Sequence, residues 1–396
     1  MFRRSHGGRP RHHRPGGGSR GPRFAGTYIN PSKFINKPIR PIEQIEFVPK
    51  NTFADFGLLP ILLKNLTHRH YHLPTPVQDE AIPHILEGKD VVGLANTGSG
   101  KTAAFALPII HRMKKSPERH VVLVIAPTRE LATQIEEEFR SFSHGLQIFT
   151  ALCVGGASQE RQKHALARHP QVVIGTPGRL KDLFQQGVLK LNATNILVLD
   201  EVDRMLDMGF INDIRYLVDK LSTKRQTLCF SATINPNVRK LLGQMLVNPV
   251  TVSVKTSETS DHIEQDVVYA ESKEHKFEVL CDLLRKPEFH KVLIFARTKW
   301  DVRRLAEALT RNHIPSEAIH GNKTQPQRQR ALQTFKDSRI KVLVATDVAA
   351  RGLDIPNVSH VINFDQPNTY EDYIHRIGRT GRAGKHGKAL TFIGRG

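Results

Sequence analysis

Short runs of β-branched and other apolar residues recur along most of this chain, each followed by a longer stretch with helical spacing of its apolar positions. In the first half the runs are DVVGLA (90–95), VVLVIAPT (121–128), VVIGTP (172–177), ILVLDE (196–201) and TLCFSAT (227–233). In the second half they are KVLIFA (291–296), KVLVATD (341–347), HVINFD (360–365) and KALTFI (388–393). Continuous apolar strands alternating with helices predict parallel sheets covered on both faces. Between the two sets, SVKTSETSDH (253–262) is polar and Ser/Thr-rich without a period, and reads as a linker. The expected fold class is α/β, with two doubly wound parallel-sheet domains in tandem at 53–252 and 263–396. Nearly every Gly-, Asp- or Arg-rich segment follows the carboxyl end of a run, the edge where open sheets of this kind bind ligands.

Charge adds a partner. The chain carries 58 Lys and Arg against 38 Asp and Glu. Ten of the basic residues, and no acid, lie in residues 1–40, so half of the net +20 sits in a tenth of the length. Such an excess points to a polyanion, because each neutralised phosphate releases condensed counterions. Residues 1–42 open with an Arg, Gly, His and Pro composition that has little to bury, and are expected to form a disordered basic tail. Gly and Pro break that stretch too often for the amphipathic helix of an organelle-targeting signal. No run approaches the roughly 18–20 apolar residues of a membrane span, so a soluble, cytoplasmic protein is expected. Cys153, Cys229 and Cys281 lie among apolar residues without Cys-x-x-Cys pairing, and read as buried core residues in a reducing compartment.

The chemistry is concentrated in three segments. Ala95-Asn96-Thr97-Gly98-Ser99-Gly100-Lys101-Thr102 follows a strand and opens a helix. Its glycines let backbone N–H groups wrap phosphates, Lys101 reaches the terminal phosphates, and the Thr102 hydroxyl ligates Mg²⁺. The strand ILVLDE ends in Asp200, expected to hold Mg²⁺ largely through water, and Glu201, expected to orient and deprotonate the attacking water. In the second half, HRIGRTGR places His375, Arg379 and Arg382 four and three residues apart, on one helical face. Arginine fingers of this sort are worth about 10³–10⁵ in rate. Because they belong to the other domain, closure would complete a site shared between the two.

These residues in this order, from about Phe53 to the C-terminus, resemble the DEAD-box RNA helicases of helicase superfamily 2. The resemblance implies two RecA-like domains, ATP and Mg²⁺ as cofactors, and RNA as partner. It implies that Gln78 reads the adenine edge with Phe53 packed on the base, and that Asp354 contacts the ribose or the other domain. Pro127, Thr128 and Arg129, the pair Gly155 and Gly156, and Thr176, Gly178 and Arg179 are the implied first-domain contacts to RNA. Arg297, the segment Gln325 to Arg328, with Arg328 itself, and Thr346 are their second-domain counterparts. Ser231, Ala232 and Thr233, with Asp203, are implied to couple hydrolysis to strand separation. The chain departs from the family pattern at Val202, where Ala is usual, at Asn96 for Gln, and at His70-Tyr71 for Gly-Phe. The family usually adds a helix after the strand at KALTFI.

Glycine pairs, hydroxyls and single arginines suit phosphates and sugars, so binding without sequence preference is expected. The function read from the sequence is ATP-dependent local separation of short RNA duplexes. A DNA translocase of the same superfamily and an ATP-gated RNA clamp or annealing chaperone are the alternatives, the latter encouraged by the Arg/Gly tail. Protein partners are possible but not identifiable from these residues.

Overall fold

In the computed structural model the described residues are 29–36, 47–96, 98–116, 118, 120–254, 263–350, 355, 357–381 and 386–394. Every predicted apolar run becomes a strand, and all strand pairs in the two sheets are parallel. The first sheet is built from β1 (Val91–Leu94), β2 (Val122–Ile125), β3 (Thr150–Cys153), β4 (Val172–Gly175), β5 (Ile196–Leu199), β6 (Gln226–Ser231) and β7 (Val250–Ser253). Its order is β3-β4-β2-β5-β6-β1-β7. The second contains β8 (Ile263–Ala270), β9 (Val292–Phe295), β10 (Ser316–Ile319), β11 (Val342–Ala345), β12 (His360–Asn363) and β13 (Gly387–Gly394), in the order β10-β11-β9-β12-β13-β8. Helices cover both faces of the first sheet. Side chains alternating along its strands feed two separate cores, with Val122, Val124, Ile196 and Val198 in one and Leu123, Ile125, Leu197 and Leu199 in the other.

Close packing at one strand end gives a direct test of this arrangement. Gly175 ends β4 opposite Cys153 of β3, and a Cβ placed there would overlap the Cys153 carbonyl oxygen and the Leu180 side chain. Backbone cannot yield as a surface side chain can. Gly175→Ala is therefore expected to destabilise the first domain by about 1–3 kcal/mol, read as a lower urea midpoint at unchanged slope.

The four strands that the apolar pattern did not predict, β3, β7, β8 and β10, are the four sheet edges. The linker expected at 253–262 begins one residue inside β7, and residues 255–262 lie outside the described ones. The cysteines are free and buried, and burial pushes the Cys153 thiol up to about 12.

One element departs from expectation. Residues 29–36 belong to the stretch expected to be a disordered tail, yet they are folded against the second domain. Asn30 caps a 3-10 turn, Pro31–Phe34, by accepting from the Ser32 amide at 3.0 Å. Asn36 and Gln265 then exchange backbone hydrogen bonds of 3.0 and 2.8 Å, adding an antiparallel bridge to the outer edge of β8. Phe34 is fully buried among Ile263, Ile377, Ala389 and Ile393, its ring centroid 4.7 Å from that of Tyr373. A segment that precedes the first domain thus completes the core of the second. The remaining tail residues, 1–28 and 37–42, lie outside the described ones.

Candidate active site and nucleic-acid groove

The loop after β1 is held open by its neighbours. Gly98 and Gly100 have φ of 85° and 92°, which side-chain-bearing residues rarely adopt, and Gly100 starts the helix Lys101–Lys115. Thr75 and Gln78, at the start of the helix Pro76–Leu86, grip this loop from outside. The Thr75 hydroxyl donates to the Ser99 carbonyl at 2.8 Å and the Gln78 amide donates to the Gly100 carbonyl at 3.0 Å, while Gln78 Oε1 accepts from the Thr75 amide at 3.0 Å. A Cβ on Gly100 would collide with both side chains. Gln78, expected at an adenine edge, here bridges its own helix cap to the phosphate-type loop. Phe53 is buried edge-on against Phe56 and Tyr71, in a segment tied down by Asp79, which accepts from the Lys50 and Asn51 amides at 2.7 and 3.2 Å.

Lys101 is buried, and its ammonium donates to the Ala95 carbonyl at 2.9 Å. The Ser99 hydroxyl is buried without a hydrogen-bond partner. A cavity of about 190 Å³ opens here, lined by Gly98, Gly100, Lys101, Thr102, Asp200 and Glu201 among others. Asn96 sits in the same loop, and Thr97 lies outside the described residues. The unpartnered hydroxyl, helix N-terminus, ammonium and two carboxylates fit the phosphate end of a nucleotide with a hard cation.

The two carboxylates differ sharply. Burial pushes Asp200 up to about 6, only partly opposed by Lys101, with Glu201 and Asp203 adding to the rise. Burial also raises Glu201, but Arg204, Lys101 and Arg379 outweigh it and hold that carboxyl at about 2. Glu201 takes left-handed backbone angles (φ 52°, ψ 55°) and its Oε2 accepts from Arg204 Nη1 at 2.7 Å. Arg379, nearly fully buried, comes from the second domain, so the field at Glu201 is already set by both halves of the molecule. The helix Tyr370–Ile377 ends before Arg379, so Arg379 and His375 do not share the helical face expected of them, yet they share a small cleft with Arg204, Asp347 and Arg376. Arg376 is the hub holding this segment: it pairs with both oxygens of Asp347 at 2.6 and 2.7 Å, and donates to Asn363 and to the Asp365 carbonyl. Arg382 and Asp354 lie outside the described residues.

Two residues after Glu201, Asp203 ties β5 to β6. Its Oδ2 accepts from the Ala232 amide at 3.1 Å, the Thr233 amide at 3.0 Å and the Thr233 hydroxyl at 3.1 Å. Ser231 completes the knot by donating to the Thr233 carbonyl at 2.8 Å and accepting from the Asp203 amide at 3.3 Å. A carboxylate that accepts three donors is fixed in place, so Asp203 holds the end of β5 to residues 231–233.

Most of the expected RNA-binding residues line a groove of about 360 Å³ between the domains. Pro127, Thr128, Arg129, Gly155, Thr176, Gly178 and Arg179 line it from the first domain, and Gly321, Arg328 and Val348 from the second. Thr128 caps the helix Arg129–Phe142 through its hydroxyl, and Thr176 stands at the N-cap position of Pro177–Gln185; both N-termini suit anions. Arg179 Nη1 is buried without a hydrogen-bond partner. Gly155 and Gly156 lie so close to the Arg129 guanidinium that a Cβ on Gly156 would strike it. Arg328 is not free: its Nε donates to Glu130 at 2.6 Å across the domain boundary, with both side chains buried. Arg297 is exposed at the end of β9 and Thr346 half-buried at the end of β11, beyond the residues that line the groove.

Glu130, Arg204, Asp347 and Arg376 were not singled out from sequence. Glu130, Asp347 and Arg376 pair with partners distant in the chain, and a buried ion pair of that kind has no local pattern; Arg204 pairs with Glu201 three residues away.

Two parallel-sheet domains that share a phosphate-type loop, paired carboxylates and a basic residue supplied by the other domain define a two-domain nucleoside-triphosphatase of the helicase kind. Comparison with known proteins agrees: residues 75–241 match the DEAD/DEAH box helicase model, and 275–384 match the helicase conserved C-terminal domain. The chain belongs to the DEAD-box family of RNA helicases. It is 45% identical over 342 residues to the ATP-dependent RNA helicase CshA of Listeria monocytogenes, covering 86% of this chain and 66% of the relative. It is 44% identical over 345 residues to the RNA helicase CrhR of Synechocystis, covering 87% and 70%. The chain therefore spans about two thirds of the length of these relatives. Among solved structures, S. cerevisiae Dbp5 bound to RNA and ADP BeF3 superimposes with a TM-score of 0.77 at 31% identity, over 87% of this chain and 90% of that one. A DEAD box protein from Methanococcus jannaschii, 35% identical and covering 88% and 94%, gives a TM-score of 0.51. No helix among the described residues is long and apolar enough to cross a membrane.

Proposed function

We propose that this chain hydrolyses ATP between its two domains and uses closure on single-stranded RNA to pry apart short duplexes without sequence preference. The observation that carries the proposal is the electrostatic convergence at Glu201 of Lys101 and Arg204 from its own domain and Arg379 from the other. A site of that kind exists only while the domains are together, so hydrolysis is tied to closure. The close superposition on a relative holding RNA and ADP BeF3 supports reading this arrangement as the closed one.

In this reading Lys101 exchanges its Ala95 carbonyl for the terminal phosphates, and the unpartnered Ser99 hydroxyl and glycine amides take the remaining oxygens. Thr102 and Asp200 would hold Mg²⁺, which when bound would supply positive charge to offset that of the phosphates. Losing its proton to make room for a cation suits an acid that burial has raised to about 6. Glu201 orients the attacking water. An acid held near 2 is a poor proton acceptor; bound phosphate charge would offset Lys101 and Arg379 and restore its basicity. Arg379, with His375 and Arg382, stabilises charge on the transferred phosphoryl group. Gln78, Phe53 and Asp354 are assigned to the adenosine end. The groove arginines and capped helices hold RNA phosphates, and the Asp203 knot carries the nucleotide state to Ser231–Thr233.

The folded units are taken as 53–252 and 263–396, supported by the two sheets. The buried, free cysteines fit a cytoplasmic setting. Steady-state ATPase activity with no nucleic acid, with single-stranded RNA and with matched DNA tests the proposal. Strong stimulation by RNA alone is expected; equal stimulation by DNA would replace it with the translocase reading.

A further inference from the structure

The chain contains a single tryptophan, and it is not in a core. Trp300 is 56% exposed, in the first turn of the helix Lys299–Arg311 that follows β9. Tryptophan is highly buried on average, so a ring left this open needs a reason.

Its surroundings supply one. The guanidinium of Arg303, one turn along, lies over the ring at 4.9 Å from its centroid, and Arg303 is itself steadied by Glu307 at 3.6 Å. Lys299 donates to Asn322 Oδ1 at 3.3 Å, and Asn322 adjoins Gly321, which lines the groove between the domains. Arg297, three residues before Trp300, is exposed on the same sheet edge. The charge here is concentrated. The pKa of His320 is lowered by burial first, and then by Lys323, Arg328, Arg303 and Lys299, so four cations act on one point. Glu317 draws off part of this through Lys323 at 3.0 Å. An open aromatic ring beside a cationic track continuous with a groove is the combination that binds single strands, phosphates on the cations and a base on the ring.

Resting on the RNA reading above, we propose that Trp300 is a stacking platform for one unpaired base of the bound strand, where that strand runs past the end of the groove over the second domain. Arg303 backs the ring on one side and the base takes the other. The groove itself recognises phosphates and sugars and is indifferent to bases. The platform adds a contact that every base can make and that purines, with larger faces, make more strongly. It would also favour an unpaired strand, since a base held in a duplex cannot offer its face.

The lone tryptophan makes the test direct, because tryptophan emission, excited outside the tyrosine band, reports on this site only. Wild type, Trp300→Ala and Trp300→Tyr are titrated with oligoadenylate and with an abasic ribose-phosphate strand of equal length, in the presence of a non-hydrolysable ATP analogue. Oligoadenylate is expected to quench wild-type emission and the abasic strand to leave it nearly unchanged. Trp300→Ala should weaken oligoadenylate binding by about 5- to 150-fold, with abasic binding unaltered, and Trp300→Tyr should restore most of the loss. Equal affinity of wild type and Trp300→Ala for oligoadenylate, with unquenched emission, overturns the platform while leaving the RNA reading intact; the ring would then be a surface for another protein. Failure of wild type to bind either strand overturns both. Equal weakening on both strands means that Trp300 shapes the groove rather than meeting a base, and overturns the platform alone.

Discussion

Glu201→Gln is expected to lower RNA-stimulated ATP hydrolysis by about 10²–10⁴-fold while ATP and RNA remain bound. The amide keeps the size of the carboxylate and still offers an oxygen to Arg204, now 2.7 Å away, so the buried guanidinium is not stranded. What disappears is the charge that orients water and takes its proton. A protein that can close but not hydrolyse should accumulate as a long-lived ternary complex, visible as slow RNA release in the presence of ATP. Hydrolysis at the parental rate would remove Glu201 from the reaction. The acidity of Glu201 adds a constraint on pH. Its folded value, about 2, lies below the ordinary 4.5, so the stability that its charge contributes is fully present above 4.5 and is lost only as the pH falls through 2. An acid limb of the pH–rate profile near neutrality would therefore not come from this carboxyl in its resting state.

Arg379→Ala should reduce kcat by about 10³-fold or more with little change in ATP affinity measured on the open protein. The guanidinium is buried and acts on Glu201 from the opposite domain, so its contribution exists only on closure. A loss confined to ATP affinity would instead make it an ordinary phosphate ligand. Arg376 behaves differently despite lying in the same motif. Its pairs with Asp347, Asn363 and the Asp365 carbonyl hold the motif to its own domain, so its removal should appear first as lost stability.

The sequence revealed the interior of each sheet and none of the edges. β1, β2, β4, β5 and β6, and β9, β11, β12 and β13, have neighbours on both sides and mostly unbroken burial, and continuous apolar runs marked them all. β3 and β7 alternate or expose residues, as do β8 and β10, so their runs are short and mixed and read as loop. The nucleotide segments were equally legible, since loop, helix start and strand-end acids are contiguous in the chain. What the sequence hid was pairing at a distance. Gln78 gripping Gly100, Asp203 holding Thr233 and Arg328 meeting Glu130 join segments 22 to 198 residues apart. The turn at Pro31–Phe34 was hidden for another reason: its one large apolar side chain sits among Asn, Pro, Ser and Lys, and only β8, β13 and the helix carrying Tyr373 and Ile377 give it somewhere to go.

That turn also changes how far the molecule can open. The chain leaves the second domain at Asn36, enters the first after Phe47, and crosses back between Val254 and Ile263, so two covalent connections join the domains. Eleven peptide links limit the separation of Asn36 and Phe47 to roughly 40 Å for as long as Phe34 stays seated. A second leash keeps the effective concentration of one domain at the other high, so that each cycle begins from partners already near each other.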